Sequence, residues 1–375
     1  MVNHLGNWRN GELGNFITLK RGFDLPQQKR EDGQVPIFSS SGITGTHSTA
    51  MVNAPGVITG RYGTIGEVFY AAEDFWPLNT TLFVEDFHGN DAKFIYYFLK
   101  TLEWSKFTSA SAVPGINRNT VHKETVSLPD IETQRRIAST LSMLDEKIKT
   151  NTEINDNLEQ QAQSYFQELF VDNASPEWTT GTISDLGTVV GGSTPSKAKP
   201  EYYTESGIAW ITPKDLSINK SKFVSHGEND ITELGLKNSS AAIMPEGTVL
   251  FSSRAPIGYI AIAAGEVTTN QGFKSVVPKP EIGTPFVYFF LKNTLPVIEG
   301  MASGSTFKEV SGSTMKNVPA VIPDAETLAK FSDFCAPIFA QQRILEEQNQ
   351  SLATLRDNLL PKLMSGEIDV SAVQL

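Results

Sequence analysis

Leu128-Pro129-Asp130-Ile131-Glu132-Thr133 is answered 194 residues later by Ile322-Pro323-Asp324-Ala325-Glu326-Thr327. Each hexapeptide opens a long stretch with heptad spacing. After the first, Ile137, Leu141, Leu144, Ile148, Asn151, Asn155, Leu158, Ala162, Tyr165 and Leu169 alternate steps of four and three, the signature of a coiled-coil seam. The second seam is Phe331, Cys335, Ile338, Gln342, Leu345, Asn349, Leu352, Arg356, Leu359 and Leu363. Asp130 is suited to cap the first helix and Gly366 to stop the second, while Pro337 is expected to break or kink the second near its start. Helices of this length need a partner over their apolar stripe, and each is the natural partner of the other.

The regions before the two helices repeat one another. Trp8-x2-Gly11 matches Trp178-x2-Gly181, Leu13-Gly14 matches Leu186-Gly187, and Arg61-x3-Ile65-Gly66 resembles Arg254-x2-Ile257-Gly258. Phe94-Ile95-Tyr96-Tyr97-Phe98-Leu99-Lys100 matches Phe286-Val287-Tyr288-Phe289-Phe290-Leu291-Lys292. The offset grows along the repeat, so the second copy carries an insertion, placed within Ser193 to Lys237. Segments 56–69 and 247–264 read as strand, turn, strand; 91–107 and 284–298 read as helices, with Thr284 as N-cap before Pro285. Their aromatic residues Phe94, Tyr97, Phe98, Phe286, Phe289 and Phe290 sit at helical spacing and are expected in the cores. The domains are thus 1–129 and 173–323, with helical segments 130–172 and 324–375.

The 375 residues suffice for two cores, and 39% hydrophobic residues with 22 Phe and 5 Trp exclude a disordered chain. One cysteine, Cys335, allows no internal disulfide. No apolar run reaches the length of a membrane span, and no leader-like start is read at Met1 to Trp8, which gives a soluble, cytoplasmic expectation. The net charge of −11 argues against nucleic acid at first sight. Its distribution reverses that, because the two helical segments hold −9 of it and leave both large domains near neutral. The five histidines are scattered, and Gly191-Gly192-Ser193-Thr194-Pro195 lacks the Gly-Lys-Ser/Thr of a P-loop. No catalytic motif, cofactor fingerprint or metal site is recognisable, and neither is the Asn/Asp-Pro-Pro-aromatic tetrapeptide of amino-methyltransferases.

Leu128 to Ala138 with Leu144-Asp145-Glu146-Lys147-Ile148, and the tail Leu355 to Ile368, resemble the specificity subunit of type I restriction-modification systems. So do Trp210-Ile211-Thr212-Pro213-Lys214-Asp215-Leu216, Ser252-Ser253-Arg254-Ala255-Pro256-Ile257-Gly258 and Asn270-Gln271-Gly272-Phe273-Lys274. The first domain departs further, with Thr59-Gly60-Arg61-Tyr62-Gly63 at the corresponding place. The resemblance implies an α+β fold: two β-rich target recognition domains in pseudo-twofold repeat, joined by two long antiparallel coiled-coil helices. It implies a non-catalytic subunit that reads a bipartite, asymmetric target in double-stranded DNA. It further implies two methyltransferase subunits carrying S-adenosylmethionine, and restriction subunits using ATP and Mg in systems that cleave. A helix seam roughly 55 Å long would set the spacing of the half-sites.

Arg is the usual bidentate partner of guanine, and Arg61 and Arg254 each follow a strand at a turn, so both are candidate base readers. Lys214, Gln271, Lys274 and Lys308 are further candidates in the second domain. Lys20, Arg21, Asn79, Asn117 and Arg118 are candidates in the first. The competing reading is a coiled-coil adaptor or carbohydrate-binding protein with duplicated β domains; a self-sufficient methylating and cleaving enzyme is disfavoured by the missing motifs.

Overall fold

The computed structural model describes residues 8–108, 114–304 and 308–370; the leader reading at Met1 to Trp8 falls, but for Trp8, outside them. Two long helices, Ile131–Gln167 and Ala325–Met364, dominate the secondary structure. Contacts divide the chain into two compact units, one from residues 1–149 together with 350–375, the other from residues 150–349. Each long helix therefore contributes to both units, a different partition from four consecutive segments.

In the first unit, strands Thr18–Arg21, Thr81–Asp86, Gly56–Gly60 and Val68–Ala71 form an antiparallel sheet in that order. A smaller sheet holds Gly42–His47, Val35–Ser39 and Trp76–Pro77. The helix Ala92–Lys100 buries Phe94, Tyr97 and Phe98 against the main sheet and against Ile137, Leu141 and Leu363 of the long helices. Strand Arg9–Glu12 pairs with Thr125–Leu128, which runs straight into the first long helix. Asp130 caps that helix, its carboxylate accepting from the Thr133 N–H at 2.9 Å.

The second unit repeats this order. Gly187–Gly191, Lys274–Pro278, Val249–Ser253 and Ile257–Ala263 form the main sheet, with Phe223–Val224 added in parallel at its edge. Thr179–Thr182 pairs with Pro319–Ile322 ahead of the second long helix, and Asp324 caps it through the Thr327 N–H at 2.8 Å. The segment Ser193 to Lys237 supplies that edge strand and most of a second sheet, Tyr203–Thr204, Asn229–Ile231, Ile208–Ile211 and Thr268–Thr269.

Three local expectations are corrected. The helix expected over 91–107 ends at Lys100 and resumes only as a 3-10 turn, Trp104–Phe107. Gly283, at φ 80, rather than Thr284 occupies the cap of the helix Thr284–Gly300, because glycine reaches that backbone region without strain. Pro337 does not break the second long helix. It lies on the exposed side, where water can take up the carbonyl it leaves unpaired, while Cys335, Ile338 and Phe339 bury into the core beside it.

The seam residues face inward. Ile137, Leu141, Asn151, Leu345 and Leu363 are buried; Leu144, Ile148, Asn155, Leu158, Asn349, Leu352 and Leu359 are half-buried. Pairing is antiparallel within the second unit. Asn151 Nδ2 donates to Asn349 Oδ1 at 2.9 Å, Gln342 Nε2 donates to the Asn155 carbonyl at 3.2 Å, and the Tyr165 ring meets Phe331. In the first unit Arg356 Nη1 donates to Asp145 Oδ1 at 2.7 Å. Asn151 Oδ1 is buried without a hydrogen-bond partner. Replacing Asn151 and Asn349 together by leucine is therefore expected to stabilise the second unit by about 1–3 kcal/mol, the cost of such an orphaned group, at the expense of fixed register. Thermal unfolding checks this: a lower midpoint in the double variant contradicts it.

Candidate nucleic-acid interface

In the first unit a cleft of about 470 Å³ gathers four of the six candidate residues: Arg21, Arg61, Asn117 and Arg118. Arg21 ends strand Thr18–Arg21 opposite Leu82. Arg61 follows strand Gly56–Gly60, its backbone N–H donating to the Thr80 carbonyl at 2.8 Å, and its guanidinium lies 4.5 Å from the centre of the Tyr62 ring. That stacking orients the fork without consuming its donors. Gly115 lets the ring lie there, since a Cβ at that position would come within 2.2 Å of it. Asn117 caps the short helix Arg118–His122 and leaves Arg118 exposed in its first turn. Asn79 joins the group indirectly, donating to Asp24, which also pairs with Arg21 at 3.6 Å. Lys20 is not brought in. Side chains alternate along a strand, so it leaves the opposite face from Arg21 and pairs with Glu85.

The second unit has a cleft of about 730 Å³ that takes in Lys214, Arg254 and Gln271. Lys214 projects from the helix Pro213–Ile218, which a Thr212–Asp215 capping box fixes. Its Nζ lies 2.6 Å from Glu228, which raises the ammonium above its ordinary value. Arg254 Nη1 stands 3.3 Å from Glu309 Oε2, and Lys274 Nζ is 3.7 Å from Glu309 Oε1. Lys274 borders the cleft and also donates to the Gln271 carbonyl at 3.3 Å. The Gln271 amide oxygen accepts from Thr194. Lys308 is exposed, adjacent to Glu309, and does not line the cleft.

Tyr203 and Trp210 add an aromatic wall, their rings meeting edge to face at 5.7 Å, with Trp210 Nε1 donating to the Ser193 carbonyl at 3.0 Å. Trp210 lies within a motif already singled out, and Tyr62 directly beside Arg61. Lys197, Asn229 and Glu309 carry no such signal, since only the fold brings them to the cleft rim. In the second cleft most cations already face an acid, and in the first Arg21 does, which agrees with the near-neutral charge of these regions. A nucleic acid entering would exchange those carboxylates for phosphate or base acceptors, so the arrangement favours directed over bulk attraction. Among the described residues no helix is long and apolar enough to cross a membrane.

Known proteins resemble this chain along its length. The specificity subunit of the type I restriction enzyme MjaIX of Methanocaldococcus jannaschii is 39% identical over 191 residues, covering 48% of this chain and 44% of the relative. The chain thus spans less than half of that relative in the match. The HindI specificity subunit of Haemophilus influenzae is 24% identical over 347 residues, covering 72% of this chain and 75% of the other. A crystal structure of a type I restriction-modification S subunit from M. genitalium shares the fold, with a TM-score of 0.65 at 19% identity and 97% of each chain covered. With the model of the type I restriction modification DNA specificity domain matched at residues 6–160 and again at 176–355, the chain belongs to that family and carries its domain twice.

Proposed function

We propose that this chain is the sequence-reading subunit of a type I restriction-modification enzyme, each unit contacting one half of a bipartite, asymmetric site in double-stranded DNA. The carrying observation is that one strand order ends, in both units, on an arginine at the rim of a cleft: Arg61 after Gly56–Gly60 and Arg254 after Val249–Ser253. The two linings differ, which suits two different half-sites. Arg61 and Arg254 are assigned to bases, with Gln271 able to pair with adenine. Arg21, Asn117, Arg118, Lys214 and Lys274 take supporting base or phosphate roles. Lys20, Asn79 and Lys308, away from the cleft walls, are left to backbone contacts. Catalysis falls to partners: two methyltransferase subunits bringing S-adenosylmethionine, and restriction subunits with ATP and Mg where the system cleaves. A cytoplasmic location fits these partners.

Selection from pooled duplexes, with the chain alone and with the methyltransferase subunit of its own system, tests this. The wild type should enrich a bipartite asymmetric motif. Arg254→Ala should lower discrimination at one base pair of one half-site by about 1–3 kcal/mol. A uniform weakening with a smaller salt slope makes Arg254 a phosphate contact instead. No enrichment in either condition returns the chain to an adaptor or carbohydrate-binding role.

A further inference from the structure

Glu309 is an acid at the edge of a cleft that should attract a polyanion, paired with the Arg254 that lines it. Its place is closely defined. The Ser303 and Glu309 backbones exchange two hydrogen bonds, at 2.9 and 3.1 Å, and the next residue, Val310, donates to the Ser253 carbonyl at 3.0 Å. This sets the Glu309 carboxylate beside the end of the strand that presents Arg254. One oxygen then faces Arg254 at 3.3 Å and the other faces Lys274 at 3.7 Å. A single carboxylate thus holds the two cations of this edge of the cleft in fixed positions and offsets about half of their charge.

The first unit solves the same problem differently. Counting back from the capping residues of the matching five-residue helices, Asn117 and Ser311, the position of Glu309 corresponds to Gly115. There no carboxylate can stand, because the Tyr62 ring that carries the Arg61 guanidinium fills the space a side chain would need. One arginine is held by an aromatic face and the other by an acid.

The geometry points to Glu309 as a positioning residue that makes the second unit discriminate: it aims Arg254 at a base edge and, by its own charge, keeps phosphate from capturing Arg254 and Lys274. This rests on the reading of the cleft as a DNA reader. A phosphate oxygen meets repulsion from the carboxylate, whereas a base edge presents a neutral acceptor to the same fork. The acid therefore lowers non-specific affinity and raises the specificity ratio, which is the quantity that matters among competing genomic sites.

Full-length wild type, Glu309→Gln, Glu309→Asp and Arg254→Ala, each assembled with the methyltransferase subunit, are compared in two measurements: binding to non-specific duplex across a salt series, and the motif methylated in a random-sequence library. For Glu309→Gln the expected result is tighter non-specific binding with a salt slope steeper by about one, the increment for one added phosphate contact. Preference should fall about tenfold at the base pair that Arg254→Ala also loosens, with the other half-site unchanged. Glu309→Asp keeps the charge but shortens the reach, so it should retain the shallow slope and lose part of the base preference. It also serves if the glutamine variant fails to fold. A folded Glu309→Gln complex with unaltered motif and slope overturns the proposal, and so does loosening at a base pair unrelated to Arg254. A wild-type complex that methylates no defined motif overturns the DNA-reading assignment itself and this proposal with it.

Discussion

Glu159→Gln is expected to destabilise the second unit by about 3–5 kcal/mol, the cost of leaving a buried charge without its partner. Glu159 lies on the first long helix and receives Lys222 Nζ at 2.7 Å, Lys292 Nζ at 2.5 Å and the Tyr288 hydroxyl at 3.1 Å. The Lys222 ammonium is buried, 3.6 Å from the centre of the Phe339 ring, and its other polar partner is the neutral Gln342 at 2.8 Å. Glutamine would return an amide where a full negative charge is needed. Burial alone would raise the Glu159 carboxyl, but Lys222 and Lys292 outweigh it and hold the group down to about 2. A carboxyl depressed in the folded state stabilises fully above its ordinary value near 4.5 and loses that contribution as pH falls toward 2. The wild type should therefore lose stability across that interval by a contribution that Glu159→Gln lacks. Lys222→Met should cost less than Glu159→Gln, since Lys292 and Tyr288 still satisfy the carboxylate. Urea titrations at several pH values read both effects, and equal losses for the two variants would contradict the argument.

Exchanging residues 1–129 for the corresponding segment of a relative is expected to replace one half-site of the recognised sequence and leave the other intact. Every candidate lining the first cleft precedes Thr120, and every one lining the second lies in residues 150–349, so each reader travels whole. The exchanged segment must still pack on Ile137, Leu141, Leu363 and Met364, which the long helices bring to the first core. Chimeras that keep the apolar volume facing those four residues should fold, because cores tolerate substitutions that conserve volume. Sequencing of methylated DNA reads the outcome: a simultaneous change in both half-sites would sink the model of two independent readers.

Periodic features were legible in the sequence because they obey local rules. The Pro-Asp-x-Glu-Thr openings are N-caps, the four-and-three spacing is a covered helix face, and the duplicated aromatic heptapeptides are two matching core helices. Where the reading missed, tertiary packing overrode a local preference. Pro337 continues a helix whose buried side is secured by Cys335 and Phe339, and Gly283 displaces Thr284 as the cap by adopting a positive φ. The clefts were half legible. Arginines at strand ends can be found by pattern, but Glu309 and Lys197 approach Arg254 and Lys214 only through the fold, from segments more than 15 residues away along the chain. Lys20 shows the converse, a plausible type at a plausible place turned away by the two-residue repeat of a strand.

The partition of both long helices between the units also orders events during synthesis. Residues 150–349 are contiguous and contain all of the second unit, so that unit can close as soon as its last residue has emerged from the ribosome. The first unit is begun earlier but finished later. Its core awaits Leu363, Met364 and Val370, which are translated after everything else it needs. Until then the core that holds Leu13, Phe94, Phe98 and Leu128 is incomplete, and the amino-terminal half of the nascent chain presents apolar surface of the kind that chaperones hold. The half made first is thus the last to mature, because its core closes only after residues 363–370 have been made.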